Sequence, residues 1–163
     1  MSIRKPLEFG WVRGGKSSFP LPMGASEVLK AASGRFVVTD GSGRGEVAGD
    51  GDTTLLGFVE SGDLTCSATE GRTVLNCIDD LTAVFRVPLR YDGSTYTVNY
   101  STALLGKTRD LIVISDVQYV NLTTYDDDLV VIVGGQAASS ATANDGFVYV
   151  RIAQSAVASD SAA

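Results

Sequence analysis

The chain predicts an all-β fold: a small barrel, or a β-tulip or sandwich, of about ten short strands. Three observations carry that prediction. Short runs rich in β-branched and aromatic residues recur from residue 34 onward, separated by Gly, Asp, Asn and Ser. Eighteen glycines stand against four prolines, a balance that favours turns over long helices. Only one stretch reads as a helix, and it is short. The 163 residues suffice for one domain with a real core.

Residues 1–23 read as an irregular, extended N-terminal arm. They are basic, through Arg4, Lys5, Arg13 and Lys16, and they carry Phe9, Trp11 and Phe19 between glycines and prolines that break any period. Such a segment cannot form a core alone, so it lies against a partner or folds back on its own domain. Phe9, Trp11, Arg13 and Phe19 are the candidate partner-binding residues, because aromatics and arginine anchor interfaces.

The β domain is expected over 24–152. Residues 24–32 (GASEVLKAA) form the helix candidate, with Ser26 as its cap. Strands follow at 35–39, 53–60, 63–68 and 73–78, the last two joined by a hairpin turn at 69–72. Further strands are expected at 83–89 and 95–100, where the Asp92-Gly93 turn signals a hairpin. The runs at 111–114, 119–122, 129–133 and 147–152 complete the set. Residues 153–163, small and polar, read as a flexible tail.

Composition removes several chemistries. There is no histidine, so the usual general base, triad partner and neutral metal ligand are missing. A net charge of −6 argues against nucleic acid and against an anionic membrane surface as partners. Cys66 and Cys77 are too few for a thiolate zinc site; they are a hairpin disulfide or, preferred without a visible secretion signal, two buried thiols. The sequons at Asn99 and Asn121 are read as chance matches.

The motifs that imitate binding loops fail on spacing. The stretch DGSGRGEVAGDGD, residues 40–52, misplaces its glycines for a dinucleotide loop and its acids for a calcium loop, so it reads as an acidic connection between strands. Gly106-Lys107-Thr108 ends like a P-loop, but Ser101 stands where a glycine is needed and a strand follows; it reads as a turn with two exposed cations. Tyr125-Asp126-Asp127-Asp128 and Asp79-Asp80 read as solvated turns rather than catalytic carboxylate pairs. No catalytic constellation, cofactor or metal is therefore expected, and the chain is read as a non-enzyme.

The rhythm of GRFVVTDGSGRGEVAGDGDTTLLGFVESGD, TAVFRVPLRYDGSTY, LLGKTRDLIVISDVQYVNL, LVVIVGG and GFVYVRI resembles the small β-rich decoration, or cement, proteins on the capsids of tailed bacteriophages. The resemblance implies a protein made in the host cytoplasm and carried on the capsid exterior of the virion. It implies a homotrimer that staples neighbouring copies of the major capsid protein, with residues 1–23 in the role of docking arm. The competing reading is a carbohydrate- or receptor-binding β domain of a fibre or cell surface. It requires exposed tyrosines on one face, from among Tyr91, Tyr96, Tyr100, Tyr119, Tyr125 and Tyr149.

Overall fold

The computed structural model describes residues 9–90, 99–140 and 145–157. Among these the fold is all-β, as expected, with thirteen strands and two short 3-10 turns. No helix among the described residues is long and apolar enough to cross a membrane. The expected turn at 91–94 and most of the strand at 95–100 lie outside the described residues.

The strands are β1 (Gly10–Arg13), β2 (Ser18–Pro22), β3 (Val28–Leu29), β4 (Phe36–Thr39), β5 (Gly45–Val47), β6 (Gly57–Val59), β7 (Leu64–Thr65) and β8 (Val74–Ile78). Then come β9 (Val84–Pro88), β10 (Thr108–Ile114), β11 (Val117–Asn121), β12 (Val130–Gln136) and β13 (Phe147–Ile152). A six-stranded sheet runs β1-β9-β13-β12-β10-β11, a five-stranded sheet runs β2-β8-β6-β4-β5, and β3 pairs with β7 in a small third sheet.

Both large sheets curl towards closure. Leu89, just past β9, bridges Val120 of β11, and the Arg90 N–H donates to the Val120 carbonyl at 3.0 Å. Met23, just past β2, bridges Gly45 of β5 in the same way. Two curled sheets packed across one core fit the small sandwich or barrel-like fold that was expected.

The central strands of the five-stranded sheet, β4 and β6, are buried on both faces, and their sequence explains why. Alternation along a strand sends successive side chains to opposite sides. Phe36, Val38, Phe58 and Ile78 point into the main core with β9–β13 residues such as Phe85, Val87, Val148 and Val150. Their neighbours Val37, Val59 and Cys77 point into a second core with Leu21, Met23 and Leu29. A strand buried on both faces reads as an unbroken apolar run, which is what FVV and GFV are. Phe58 stacks on Phe85 at 4.5 Å between ring centroids, and Phe36 meets both rings edge-on, so three rings join the two sheets.

Gln118 ties the sheets together through hydrogen bonds. The β4–β5 register sets Phe36 opposite Ala48, and the Ala48 N–H donates to the Phe36 carbonyl at 2.9 Å. The reciprocal rung is not made directly. The fully buried Gln118 amide of β11 fills it, accepting from the Phe36 N–H at 2.9 Å and donating to the Ala48 carbonyl at 2.8 Å.

Several expectations are corrected. Residues 24–32 are not a helix: Val28 and Leu29 form β3, and Ser26 sits at φ +59° in the turn before it. Helix propensity over nine residues is too weak to resist a sheet partner. The turn at 69–72 exists, but the flanking strands do not pair with each other; β7 goes to β3 and β8 to β2 and β6. Residues 153–157 are docked, not frayed, since Ala153 and Ala156 are buried and Val157 bridges Leu55. Cys66 and Cys77, by contrast, are the two buried free thiols that were preferred, and burial pushes the Cys77 thiol up to about 12.

Candidate functional site

The segment read as an irregular arm is instead structured from residue 10 to 22. β1 is an edge strand of the six-stranded sheet and β2 an edge strand of the five-stranded one. Sequence periodicity missed them because each is short and interrupted: β1 carries a register shift between Trp11 and Arg13, and β2 contains two prolines. Prolines are tolerated on an edge strand, where a missing N–H costs no ladder bond.

The connection between these strands is fixed by residues read as a solvated turn. Asp80 accepts from the Ser17 N–H at 3.2 Å and from the Thr82 N–H at 2.9 Å, and Thr82 Oγ1 accepts from the Gly15 N–H at 2.9 Å. The Thr82 hydroxyl also donates to Asp80 at 2.7 Å, and that bond, with the two backbone ones, holds the Asp80 carboxyl below the usual carboxylate range. A Cβ on Gly14 would lie 2.0 Å from the Thr82 carbonyl oxygen, so the connection needs a glycine there.

This anchoring presents a small basic-aromatic surface. Trp11 is 40% exposed, and its indole N–H donates to the Gly15 carbonyl at 3.2 Å. Lys16 Nζ sits 5.0 Å from the indole centroid and 2.7 Å from a Glu60 oxygen. The Lys16 contact, with a second bond from Asn76, holds the Glu60 carboxyl below its ordinary range against some burial. Arg13, two residues further along β1, is also exposed.

Beneath Trp11 lies a recess of about 220 Å³ that includes Phe9, Gly10, Arg35, Glu60 and Ser61 in its walls. Arg35 is its floor and is only 5% exposed. Its guanidinium donates to the carbonyls of Val59 (3.3 Å), Lys30 (2.9 Å), Ala31 (3.3 Å), Ser33 (3.1 Å) and Phe9 (3.0 Å), and lies over the Phe58 ring. Burial lowers the Arg35 pKa, with Asp63 pulling the other way. A guanidinium nonetheless stays charged in a protein.

Of the four predicted residues, Trp11 and Arg13 are exposed on β1 and Phe9 lines the recess below. Phe19 does not join them. It packs against the second core and lines a separate apolar groove with Leu55, Leu56, Leu81 and Val157. Gly10, Lys16, Arg35, Glu60 and Ser61 complete the site. Lys16 was legible only as one of the basic residues of the 1–23 segment, and Arg35 only as the first residue of the expected 35–39 strand.

The acidic motifs turn out to be internally bonded. Asp40 accepts from the N–H groups of Ser42 and Arg44 at 2.7 and 3.2 Å, and Asp52 from that of Gly49 at 2.7 Å. The 40–52 stretch is thus two turns around β5, not one long connection. The buried Asp110 accepts from the N–H groups of Asp126, Asp127 and Asp128, which shapes the acidic turn there. Of the two cations expected to be exposed near Gly106, Lys107 is exposed. Arg109 is half-buried, bonded to the Leu122 carbonyl and set against Tyr125. Among the described residues no group of three or more ligating side chains can hold a metal. Of the described tyrosines, Tyr125 is 61% exposed while Tyr119 is buried and Tyr100 and Tyr149 are half-buried, so they form no exposed row.

No family model, curated protein or solved structure matches the chain.

Proposed function

We propose that this is a decoration protein that binds the outside of an assembled viral capsid and bridges its subunits, with no catalytic role. One observation carries the reading: an exposed tryptophan with Lys16 over its ring, on an edge strand that also carries the exposed Arg13, in an otherwise acidic chain. Exposed tryptophan and arginine together are the usual composition of an interface anchor. The local positive charge gives that anchor a preferred orientation towards an acidic surface. The mechanism is mass action. A protein that binds only the expanded lattice stabilises it by its differential affinity, and repetition over a shell adds avidity.

Deleting residues 1–23 is a poor test, because it removes two strands and the core residues Leu21 and Met23. Point variants serve instead. Trp11→Ala and Arg13→Glu alter side chains on the surface and leave the strands intact. Wild-type protein is expected to saturate expanded shells and to ignore unexpanded shells and a glycan panel. Trp11→Ala is expected to lose roughly thirtyfold in affinity, as for an interface hot spot. Equal binding by both variants, or glycan binding without shell binding, defeats the proposal.

A further inference from the structure

An Asp-Gly pair is a place where a chain can rearrange its own backbone. Glycine has no Cβ to shield its nitrogen, so that nitrogen can approach the carboxyl of the preceding side chain closely. The sequence holds four such pairs: Asp40-Gly41, Asp50-Gly51, Asp92-Gly93 and Asp145-Gly146. Asp92-Gly93 lies outside the described residues, and the other three stand in different surroundings.

Two of the three are locked. Asp40 Oδ1 accepts from the Ser42 N–H at 2.7 Å and from the Arg44 N–H at 3.2 Å, and the Gly41 N–H is given to Thr39 Oγ1 at 3.3 Å. Asp145 Oδ1 accepts from the Ser139 N–H at 2.9 Å. Bonds from Ser139, side chain first, hold the Asp145 carboxyl below its ordinary range, away from the uncharged acid that reacts. Gly146 is buried against Leu89 and Ala138, and its carbonyl accepts the Leu89 N–H at 3.3 Å.

Asp50-Gly51 is free by comparison. Both residues are exposed. Among the described residues the Asp50 carboxyl has no hydrogen-bond donor and the Gly51 N–H has no acceptor. A Cβ on Gly51, at φ +88°, would meet nothing within 4 Å. The turn is clasped only outside the pair. The Gly49 N–H donates to Asp52 Oδ2 at 2.7 Å, and the Asp52 N–H reaches the Gly49 carbonyl at a long 3.4 Å. The peptide between Asp50 and Gly51 is therefore not held against the rotation that brings nitrogen to carboxyl.

We infer that Asp50 is a modification site, at which the folded protein isomerises to isoaspartate through a succinimide. The Gly51 nitrogen bonds to Asp50 Cγ and loses its proton, and one carboxyl oxygen leaves as water. Water then adds to either ring carbonyl. Opening at Cγ restores aspartate. Opening at the α-carbonyl leaves the main chain running through Cγ, one carbon longer, with the α-carboxyl as the new side chain. One water leaves and one returns, so mass and charge are unchanged. The exposed product is a substrate for the class of enzymes that methylate isoaspartyl carboxyls.

The test ages the full chain at body temperature in mildly acidic buffer, folded or in urea, and then digests it with trypsin. Cleavage after Arg35, Arg44, Arg72, Arg109 and Arg151 puts each of the three pairs on its own peptide. Electron-transfer fragmentation distinguishes isoaspartate from aspartate. A nucleophile held about 1 Å out of place loses on the order of a hundredfold in rate, so isoaspartate is expected to form at position 50 at least roughly tenfold faster than at 40 or 145 in the folded protein. In urea the three rates should converge. Asp50→Glu, which lengthens the side chain past the favoured ring size and disturbs no hydrogen bond, should end the reaction there. An isoaspartate methyltransferase with a labelled methyl donor should mark the aged 45–72 peptide.

No isoaspartate at position 50, equal rates at the three positions in the folded protein, or a gap that persists in urea overturns the inference. So does methyl label on the 45–72 peptide that survives Asp50→Glu. An isomerised 45–72 peptide that takes no label overturns the assignment of the product to that enzyme class.

Discussion

Replacing Gln118 by Leu tests whether one side chain completes a sheet. The leucine keeps most of the volume of a fully buried residue and removes only its amide. Three bonds are lost: from the Phe36 N–H at 2.9 Å, to the Phe36 carbonyl at 2.9 Å and to the Ala48 carbonyl at 2.8 Å. The Phe36 carbonyl still receives the Ala48 N–H, so its loss matters least. The Phe36 N–H and the Ala48 carbonyl lose the amide that joins them, in the interior. At about 1–3 kcal/mol for each buried orphan, less the gain from burying an apolar group, the variant should lose about 3–4 kcal/mol. Urea unfolding followed by fluorescence measures this as a shift of midpoint at constant slope. A loss below about 1 kcal/mol would refute the reasoning, because it would mean that the two groups close the rung themselves.

Three further outcomes are expected. Asp110→Asn should destabilise the protein by about 2 kcal/mol and speed hydrogen exchange at residues 126–128, since a carboxylate accepting three backbone N–H groups becomes a weaker acceptor. Burial and the neighbouring Glu27, Asp52 and Asp40 raise the Glu46 pKa. The folded state therefore binds that proton more tightly than the unfolded one, and stability is gained as pH falls through the raised value. Glu46→Gln should add about 0.5 kcal/mol at neutral pH and nothing at pH below the carboxylate range, as read from denaturation at both pH values. The native protein should react with a thiol reagent only after unfolding, because both cysteines are buried and burial raises both thiols.

The fold class was legible because it rests on local pattern. The strands of the second half, from Val84–Pro88 to Phe147–Ile152, lie where β-branched and aromatic runs are bounded by turn residues. The Asx turn at Asp40 and the role of Asp110 were not legible, since an Asp in a turn and an Asp in a metal loop look alike until the backbone N–H groups are placed. Residues 10–22 failed for another reason. Their strands are stabilised by partners some sixty or seventy positions away, so local breakers such as Gly14, Pro20 and Pro22 misled. The site was half visible. Trp11 and Arg13 stood out as an exposed aromatic and a cation on an irregular stretch. Ser61 and Gly10 did not, because an unpaired hydroxyl and an absent Cβ have no meaning in sequence.

The pairing of β1 with β9 and of β2 with β8 also bears on how the chain is made. The first two described strands leave the ribosome early, yet neither finds its neighbour until residues 74–88 have been synthesised. For that interval Phe19, Leu21 and Met23 lack the β8 residues that complete their core. Pairing over such separations is slow, so these edges are the natural place for aggregation of a nascent or truncated product. A product ending before Val74 lacks the strand partners of both β1 and β2, and it should be recovered in the insoluble fraction.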